Sequence, residues 1–404
     1  MYIKRQIEDT ILNASKTFPA VLLTGPRQTG KSTVLKHLSE EARTYVTLDD
    51  PQIRYLASNS PELFFQRFQP PLLIDEIQYA PQLFPYIKMI CDERQENGLF
   101  WMTGSQVFEM MRNVQESLAG RVCLLKLYGF SQAEKEGRVA FPFPPEREGL
   151  IELASSREEG QDVDIFDSIW KGSMPRVFTQ TEMDVESYYA SYMQTYLERD
   201  IRSITNIRNE GSFVKFVQLI AARTAQELNI ASLSREIEVD AKTCRSWLDI
   251  LLTTGLVIEL PAFSGNLSDR LIKRPKIYFM DTGLACYLTG WQDARALEAG
   301  SFAGAIFETW VIAEILKSWW FNGKLPRFNY YRDKNQSEVD LIIQRNQKIY
   351  PFEIKKSSSA SHVFRNFSEI RNMGQELGFG GVISLSPNLL PVGENYWMIP
   401  ASLL

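Results

Sequence analysis

Two groups of residues in this sequence have the types and spacing to do chemistry on phosphate esters. The first is GPRQTGKS at Gly25 to Ser32, a complete G-x-x-x-x-G-K-[ST] string after the apolar run Val21-Leu22-Leu23 and before a helical stretch through Leu38. Glycines let main-chain N–H groups turn inward around phosphate oxygens, and the helix adds its positive N-terminal end. Gly25, Pro26, Arg27, Gln28, Thr29, Gly30, Lys31, Ser32 and Thr33 are therefore the expected nucleotide cradle. Lys31 would reach the β and γ phosphates, and Ser32 would ligate Mg²⁺. Further on, the run Leu72-Leu73-Ile74 ends in Asp75-Glu76. In that position Asp75 would hold Mg²⁺ through its water shell and Glu76 would polarise the attacking water. Taken alone, the acidic pair reads equally well as a solvated strand end.

Two lesser candidates belong to the same chemistry. Thr103-Gly104-Ser105 follows the run Phe100–Met102, where a hydroxyl is placed to sense the γ-phosphate. Arg121, in SLAGR, would supply charge to the transition state of its own site or of a neighbouring subunit. A structural hydroxyl and an ordinary ion pair are the competing readings. No N-K-x-D string is present to read guanine, so adenine is the expected base, and ATP with Mg²⁺ the expected cofactors.

The second group lies in SEVDLIIQRNQKIYPFEIKKS. If Asn346-Gln347 form a two-residue turn, 345 opposes 348, which sets Asp340 across from Glu353 and Glu338 across from Lys355. Strand parity puts these four on one face and pairs Val339 with Ile354, Leu341 with Phe352 and Ile343 with Tyr350 on the other. Two carboxylates that close repel unless a cation separates them, so Mg²⁺ between Asp340 and Glu353 is the expected occupant. Lys355 would orient a water or steady a phosphorane, the chemistry of metal-dependent phosphodiester cleavage. Glu308, in the helical GAIFETWVIAEILKSWWF, would add a carboxylate. The competing reading is a solvated hairpin carrying a cross-strand Glu338–Lys355 pair, with Glu308 an exposed helix residue.

The elements that must hold these groups follow from length and pattern. At roughly 150 residues per domain, 404 residues and 46.4 kDa imply two or three domains. With 44% hydrophobic and 23% charged residues, each part is expected to bury its own core in a folded, water-soluble protein. The 44 Lys and Arg against 49 Asp and Glu give a net charge of −5, so any polyanion contact must be local. Cys91, Cys123, Cys244 and Cys286 show no CxxC spacing and only two histidines accompany them, which indicates reduced thiols in a cytoplasmic protein. No run approaches 18 apolar residues and the amino terminus is not a signal peptide, so neither secretion nor membrane spanning is expected.

Ile3, Ile7, Ile11 and Ala14 mark an opening helix over Ile3–Thr17. Apolar runs at Ala20–Thr24, Tyr45–Leu48, Leu72–Ile74, Phe100–Met102 and Val122–Leu127, mostly separated by helical stretches, predict a parallel sheet covered by helices. A boundary falls at the proline-rich Pro142–Glu148, followed by helical periodicity with Tyr188, Tyr192 and Tyr196 on one face. Between Ile230 and Phe263 the order helix, turn, helix, strand suggests a winged helix. Lys242, Thr243, Arg245 and Ser246 would face a major groove, and Arg270, Lys273, Arg274 and Lys276 would form a basic wing. A helix-turn-helix used as a protein platform is the alternative. From Gly304 onward the order is helix, hairpin, helix, strand.

Together, LLTGPRQTGKST, LLIDEIQ, MTGSQ, SLAGRV, the ERD of YLERDI, KIYFMDTGLACYLTG, GAIFETWV and EVDL...FEIKKS resemble the motifs, in order, of the prokaryotic AAA-type ATP-binding proteins with a C-terminal domain of unknown function. The resemblance covers nearly the whole chain. It implies an ATPase core, a winged helix and a C-terminal region similar to PD-(D/E)xK nucleases. It places ATPase roles on Lys31, Ser32, Asp75 and Glu76, and nuclease-like roles on Glu308, Asp340, Glu353 and Lys355. Ser105 stands where many AAA proteins carry an asparagine sensor.

The expected fold is therefore a multidomain α/β protein: a P-loop AAA-type parallel sheet (1–140), a helical segment (141–216), a winged helix-turn-helix (217–285) and a restriction-endonuclease-like α/β domain (286–404). The expected activity is Mg²⁺-dependent ATP hydrolysis coupled to a DNA-binding winged helix and a nuclease-like domain, with nucleic acid, DNA above all, and further copies of the chain as partners. The alternative is a nucleotide-switched scaffold whose C-terminal fold binds without cutting.

Overall fold

A computed structural model describes residues 2–39, 42–104, 118–156, 163–196, 210–264, 273–334, 337–357, 367, 370 and 376–404. The first sheet has five parallel strands: β1 (Ala20–Thr24), β2 (Thr44–Thr47), β3 (Leu72–Asp75), β4 (Phe100–Gly104) and β5 (Val122–Lys126), in spatial order β2-β3-β4-β1-β5. These are the five apolar runs of the sequence. Every residue of β1 is buried because both faces are covered: Val21 and Leu23 join one core with Val34, while Ala20 and Leu22 join another with Ile74 and Phe84. The loop after β1 thus opens at the carboxyl edge of the sheet, with the end of β3 beyond β4.

The opening helix is shorter than its periodicity suggests. It runs Glu8–Thr17, because the Glu8 carboxylate accepts the Arg5 amide at 2.6 Å and fixes residues 2–5 as an extended lead-in. Ile7 and Ile11 are buried as expected, whereas Ile3 is only half-buried.

Helices Ile165–Lys171, Pro175–Thr179, Val185–Tyr196 and Glu210–Ala222 fill the middle of the chain. A small antiparallel sheet follows, β6 (Gln226–Glu227), β7 (Val257–Leu260) and β8 (Lys276–Phe279), in order β6-β8-β7. Helices Ile230–Glu236 and Ala241–Thr253 precede β7, capped by Asn229 and Asp240. Cys244, Trp247, Leu248 and Leu251 are buried and Leu252 half-buried, leaving Lys242, Arg245 and Ser246 exposed.

The C-terminal sheet contains β9 (Phe328–Arg332), β10 (Glu338–Arg345), β11 (Lys348–Lys355), β12 (Glu376–Leu377), β13 (Gly380–Ser384), β14 (Leu390–Pro391) and β15 (Tyr396–Pro400). Its order is β14-β15-β13-β11-β10-β9, with β12 beside β11. The β10–β11 turn is the expected one: Asn346 and Gln347 have φ of 51° and 63°, and Leu341 faces Phe352 and Ile343 faces Tyr350. The expected division into one apolar and one solvated face does not hold. Both strands lie inside the sheet and are covered on both sides, so Asp340 and Glu353 are buried. A register shift against β9 between Val339 and Ile342 also turns Val339 away from Leu341 to pack in the cluster of Phe263, Ile342 and Ile349. Separate cores are not observed either, since one hydrophobic cluster includes Ile7, Tyr189, Trp247, Phe307 and Leu341.

Candidate functional sites

At the end of β1 the chain can turn only through glycine. Gly25 has φ +141°, and a Cβ there would lie 2.0 Å from the Leu127 carbonyl oxygen; Gly30 has φ +89°. Lys31 begins the helix Lys31–Ser39, and its ammonium donates to the loop's own carbonyls, Gly25 O at 3.0 Å and Pro26 O at 2.7 Å. Ser32 Oγ donates to Asp75 Oδ1 at 2.6 Å. Tyr45 and Thr103 donate to the same carboxylate at 2.9 and 2.5 Å, and Thr103 Oγ1 also accepts the Glu76 amide at 3.0 Å. Glu76 has φ 59°, which carries its side chain off the strand line to take a hydrogen bond from Gln78. A hydroxyl and a carboxylate in contact beside a glycine-lined cradle form a hard-oxygen donor set that suits Mg²⁺, and an ammonium held by neutral carbonyls suits a phosphate.

Two residues outside the motif hold this loop. Arg5, buried, donates to Thr29 O at 2.8 Å, Tyr128 O at 2.9 Å and Glu134 at 2.9 Å, tying the lead-in to the back of the cradle. Tyr188 donates to Gln28 Oε1 at 2.8 Å, so the helical segment touches the loop. Neither carries a sequence signal. Arg27 is half-buried and Thr33 exposed. Ser105 lies outside the described residues, as do ERD and Arg270.

Arg121 is not brought to its own chain's loop. It precedes β5 at the amino edge of the sheet, its carbonyl accepting the Ala20 amide, whereas the loop leaves the carboxyl edge after Thr24. About five strand residues at ~3.3 Å each separate the two levels. Its guanidinium pairs with Asp92 at 2.5 Å on the exposed surface. The own-site role expected for it is therefore corrected, and the competing reading, an ordinary exposed ion pair, is what the structure shows.

The C-terminal residues come together in one cluster, but Glu338 pairs with Lys276 and Arg332, while Lys355, expected across from it, contacts Asp340 and Glu353. Lys355 reaches Asp340 Oδ2 at 3.3 Å and Glu353 Oε2 at 3.0 Å, and the Ile354 amide donates to Asp340 Oδ2 at 2.9 Å. Glu308 is not an exposed helix residue: helix Ala303–Phe321 turns it inward to accept the Tyr278 hydroxyl at 2.7 Å. Lys276, 2% exposed, joins the cluster: its ammonium donates to Glu308 at 2.9 Å, pairs with Glu338 and lies 3.4 Å from Asp340. It is therefore not the wing residue expected; of that basic segment only Lys273 and Arg274 are described as exposed. The signal available was the alternation in KIYF, where Lys276 and Tyr278 share one face of an otherwise apolar strand.

Burial, then the Asp340 charge, raises Glu308 to about 7 and Glu353 to about 9. Burial also pushes Asp340 upward, but Lys276 and Lys355 outweigh it and hold its carboxyl below the usual range. Burial pulls Lys276 downward, but Tyr278, Glu308, Asp340 and Glu338 outweigh it and hold it well above the ordinary lysine value. Among the described residues no three or more His, Cys, Asp or Glu are disposed to hold a metal ion. As arranged, the donor set does not fit the expected Mg²⁺: an ammonium sits where the cation would.

Among the described residues no disulfide forms, and no helix is long and apolar enough to cross a membrane. Residues 17–135 match the profile of an AAA domain, 163–295 that of a domain of unknown function (DUF8612), and 303–404 that of another (DUF4143). The chain thus carries an AAA domain and a C-terminal domain of unknown function. It is 29% identical over 345 residues to the uncharacterized proteins Rv2008c of Mycobacterium tuberculosis and Mb2031c of Mycobacterium bovis, covering 85% of this chain and 71% of each of theirs. Among solved structures, it is similar to the Walker-type ATPase PABY2304 of Pyrococcus abyssi, at 15% identity and TM-score 0.46 over 71% of this chain and 96% of that one. It is also similar to the RuvB Holliday junction branch migration motor of Thermotoga maritima, at 15% identity and TM-score 0.30 over 63% and 89%.

Proposed function

We propose that this chain binds and hydrolyses ATP at the Gly25–Ser32 loop and uses the nucleotide cycle to act on its middle and C-terminal parts. The observation that carries this is the cradle itself, with Lys31 resting on replaceable carbonyls and Ser32 in contact with Asp75. Lys31 would leave Gly25 and Pro26 for the β and γ phosphates, and Ser32 and Asp75 would hold Mg²⁺, which when bound supplies neutralisation of phosphate charge. Glu76, its amide fixed by Thr103, orients the attacking water. Because Thr103 bridges Asp75 and Glu76, a change at the phosphates alters contacts to both β3 and β4, the differential contact a switch requires. Ser105 is the further candidate sensor. The test is Mg-ATP binding by calorimetry and turnover in wild type and Lys31→Ala. No heat and no phosphate release from folded wild type sinks the reading.

The position of Arg121 makes a homo-oligomer, with this residue facing a neighbour's nucleotide, part of the proposal. Nucleic acid, with DNA the expected class, would meet Lys242, Lys273 and Arg274. Arg245 is less available, being paired with Asp249 at 3.0 Å and near Glu259 at 3.4 Å. A salt-dependent DNA affinity weakened by Lys242→Ala and Arg274→Ala supports this; an affinity that ignores salt opposes it. The unpaired cysteines suit the reducing cytoplasm.

Metal-dependent cleavage at Asp340, Glu353, Lys355 and Glu308 is the finer reading of the C-terminal domain, which resembles PD-(D/E)xK nucleases in sequence. The seated Lys276 favours the alternative, a domain that binds without cutting in the conformation described. Equal inertness of wild type and Asp340→Ala toward varied DNA and RNA with Mg²⁺, while ATP turnover is normal, decides for the latter.

A further inference from the structure

A buried lysine surrounded by carboxylates on another element is an internal counter-ion. Lys276 belongs by sequence and pairing to the small sheet, where it faces Leu260 of β7. Its ammonium nevertheless lies among Glu308, Glu338 and Asp340 of the C-terminal domain. Tyr278, two residues along the same strand, binds Glu308 from the same side. Two consecutive same-face side chains of β8 thus enter one polar cluster, while Lys355 supplies the only other ammonium in contact with Asp340 and Glu353 among the described residues. Arg332 also lies 3.6 Å from Glu338, and the point where Glu308, Glu338 and Asp340 converge is filled by the Lys276 ammonium.

We propose that Lys276 is the resident cation of the C-terminal cluster, a tethered ammonium that excludes a divalent metal for as long as β8 stays seated. This deepens the nuclease-like reading and rests on it only for the location of the cluster. An ammonium and a divalent ion compete for the same oxygens, and the tether gives the ammonium a high effective concentration. Metal entry then requires β8 to withdraw, which links the cluster to the position of the small sheet.

The experiment is Mn²⁺ binding by electron paramagnetic resonance and calorimetry on the full chain without nucleotide, in an Asp75→Asn background so that the P-loop contributes no signal. Wild type in that background is expected to bind no Mn²⁺ at this cluster. Lys276→Met, which keeps the aliphatic stem, should gain one Mn²⁺ per chain with affinity at least ~100-fold above wild type, and adding Asp340→Asn should abolish it. Lys276→Gln serves as a second neutral variant should the methionine form not fold, and Lys276→Arg should remain without metal. Mn²⁺ held by wild type and lost on Asp340→Asn overturns the proposal, as does a folded neutral variant that gains none. If the neutral variant binds Mn²⁺ but cuts no nucleic acid, the nuclease reading falls and the plug stands. If wild type binds the metal and cuts, the reverse is true.

Discussion

Two lysines, each almost fully buried, divide this molecule into two kinds of site. Lys31, 6% exposed, rests on neutral carbonyls of its own loop. Lys276, 2% exposed, is bound by charged groups from a helix and a strand of another domain. Drawing the first ammonium off to an arriving phosphate breaks its hydrogen bonds to two neutral carbonyls. The second cannot leave without exposing several carboxylates to one another. A site awaiting a ligand and a site that has supplied its own thus differ in what holds the cation, not in the residue type.

The largest effect separating them is on turnover. Lys31→Ala should lower ATP hydrolysis by about 100-fold or more, measured by phosphate release, while urea denaturation moves by only about 1 kcal/mol. Stability should show the mirror image. Lys276→Ala should cost ~3–5 kcal/mol, because it leaves buried carboxylates uncompensated. Equal stability losses at the two positions would erase the distinction drawn here.

Next in size is a pH effect confined to the C-terminal cluster. Glu308 has its carboxyl raised from 4.5 to about 7, so the folded protein keeps this proton after the unfolded chain has released it. Glu308 alone should therefore contribute a loss of up to ~3 kcal/mol of stability as pH rises from 4.5 to 7, and Glu353, raised to about 9, adds a loss of the same sign over that range. Glu308→Gln should reduce that slope and leave the part due to Glu353. Asp340 works oppositely: its carboxyl is held low, so its contribution is present above its ordinary range and lost on acidification. Denaturation curves between pH 4 and 8 for wild type and Glu308→Gln check the sign, and an unchanged slope would refute the raised Glu308 carboxyl.

The smallest expected effect is that of Arg121→Ala. Its exposed pair with Asp92 should contribute little to folding, because water screens both charges. Turnover should fall only where chains associate, so activity measured against protein concentration sharpens the placement. A loss independent of concentration would return Arg121 to its own site.

Much of this was legible locally. The three inner strands β3, β4 and β1, buried along their whole length, announced themselves as apolar runs, since both faces of a covered parallel sheet demand it, while the edge strands β2 and β5 are partly exposed. The hairpin register followed from one turn and the pleat, and it held from Leu341 to Arg345. It broke toward Val339, where pairing with β9 shifts the strand, a fact no hairpin argument contains. Arg5, Tyr188 and Lys276 were not legible as site residues, because their partners lie far along the chain. Arg121 was legible as a charge but not as a place, since only the parallel register with β1 puts it at the opposite edge.

The amino-acid sequence alone determined the cradle, because glycine spacing, a lysine and a hydroxyl act within one turn of chain and need only the strand before and the helix after. Tertiary structure alone decided what neutralises Asp340, Glu338 and Glu308. Burial removes water from carboxylates wherever they are carried, and which cation replaces it depends on which strand packs there, in this protein β8.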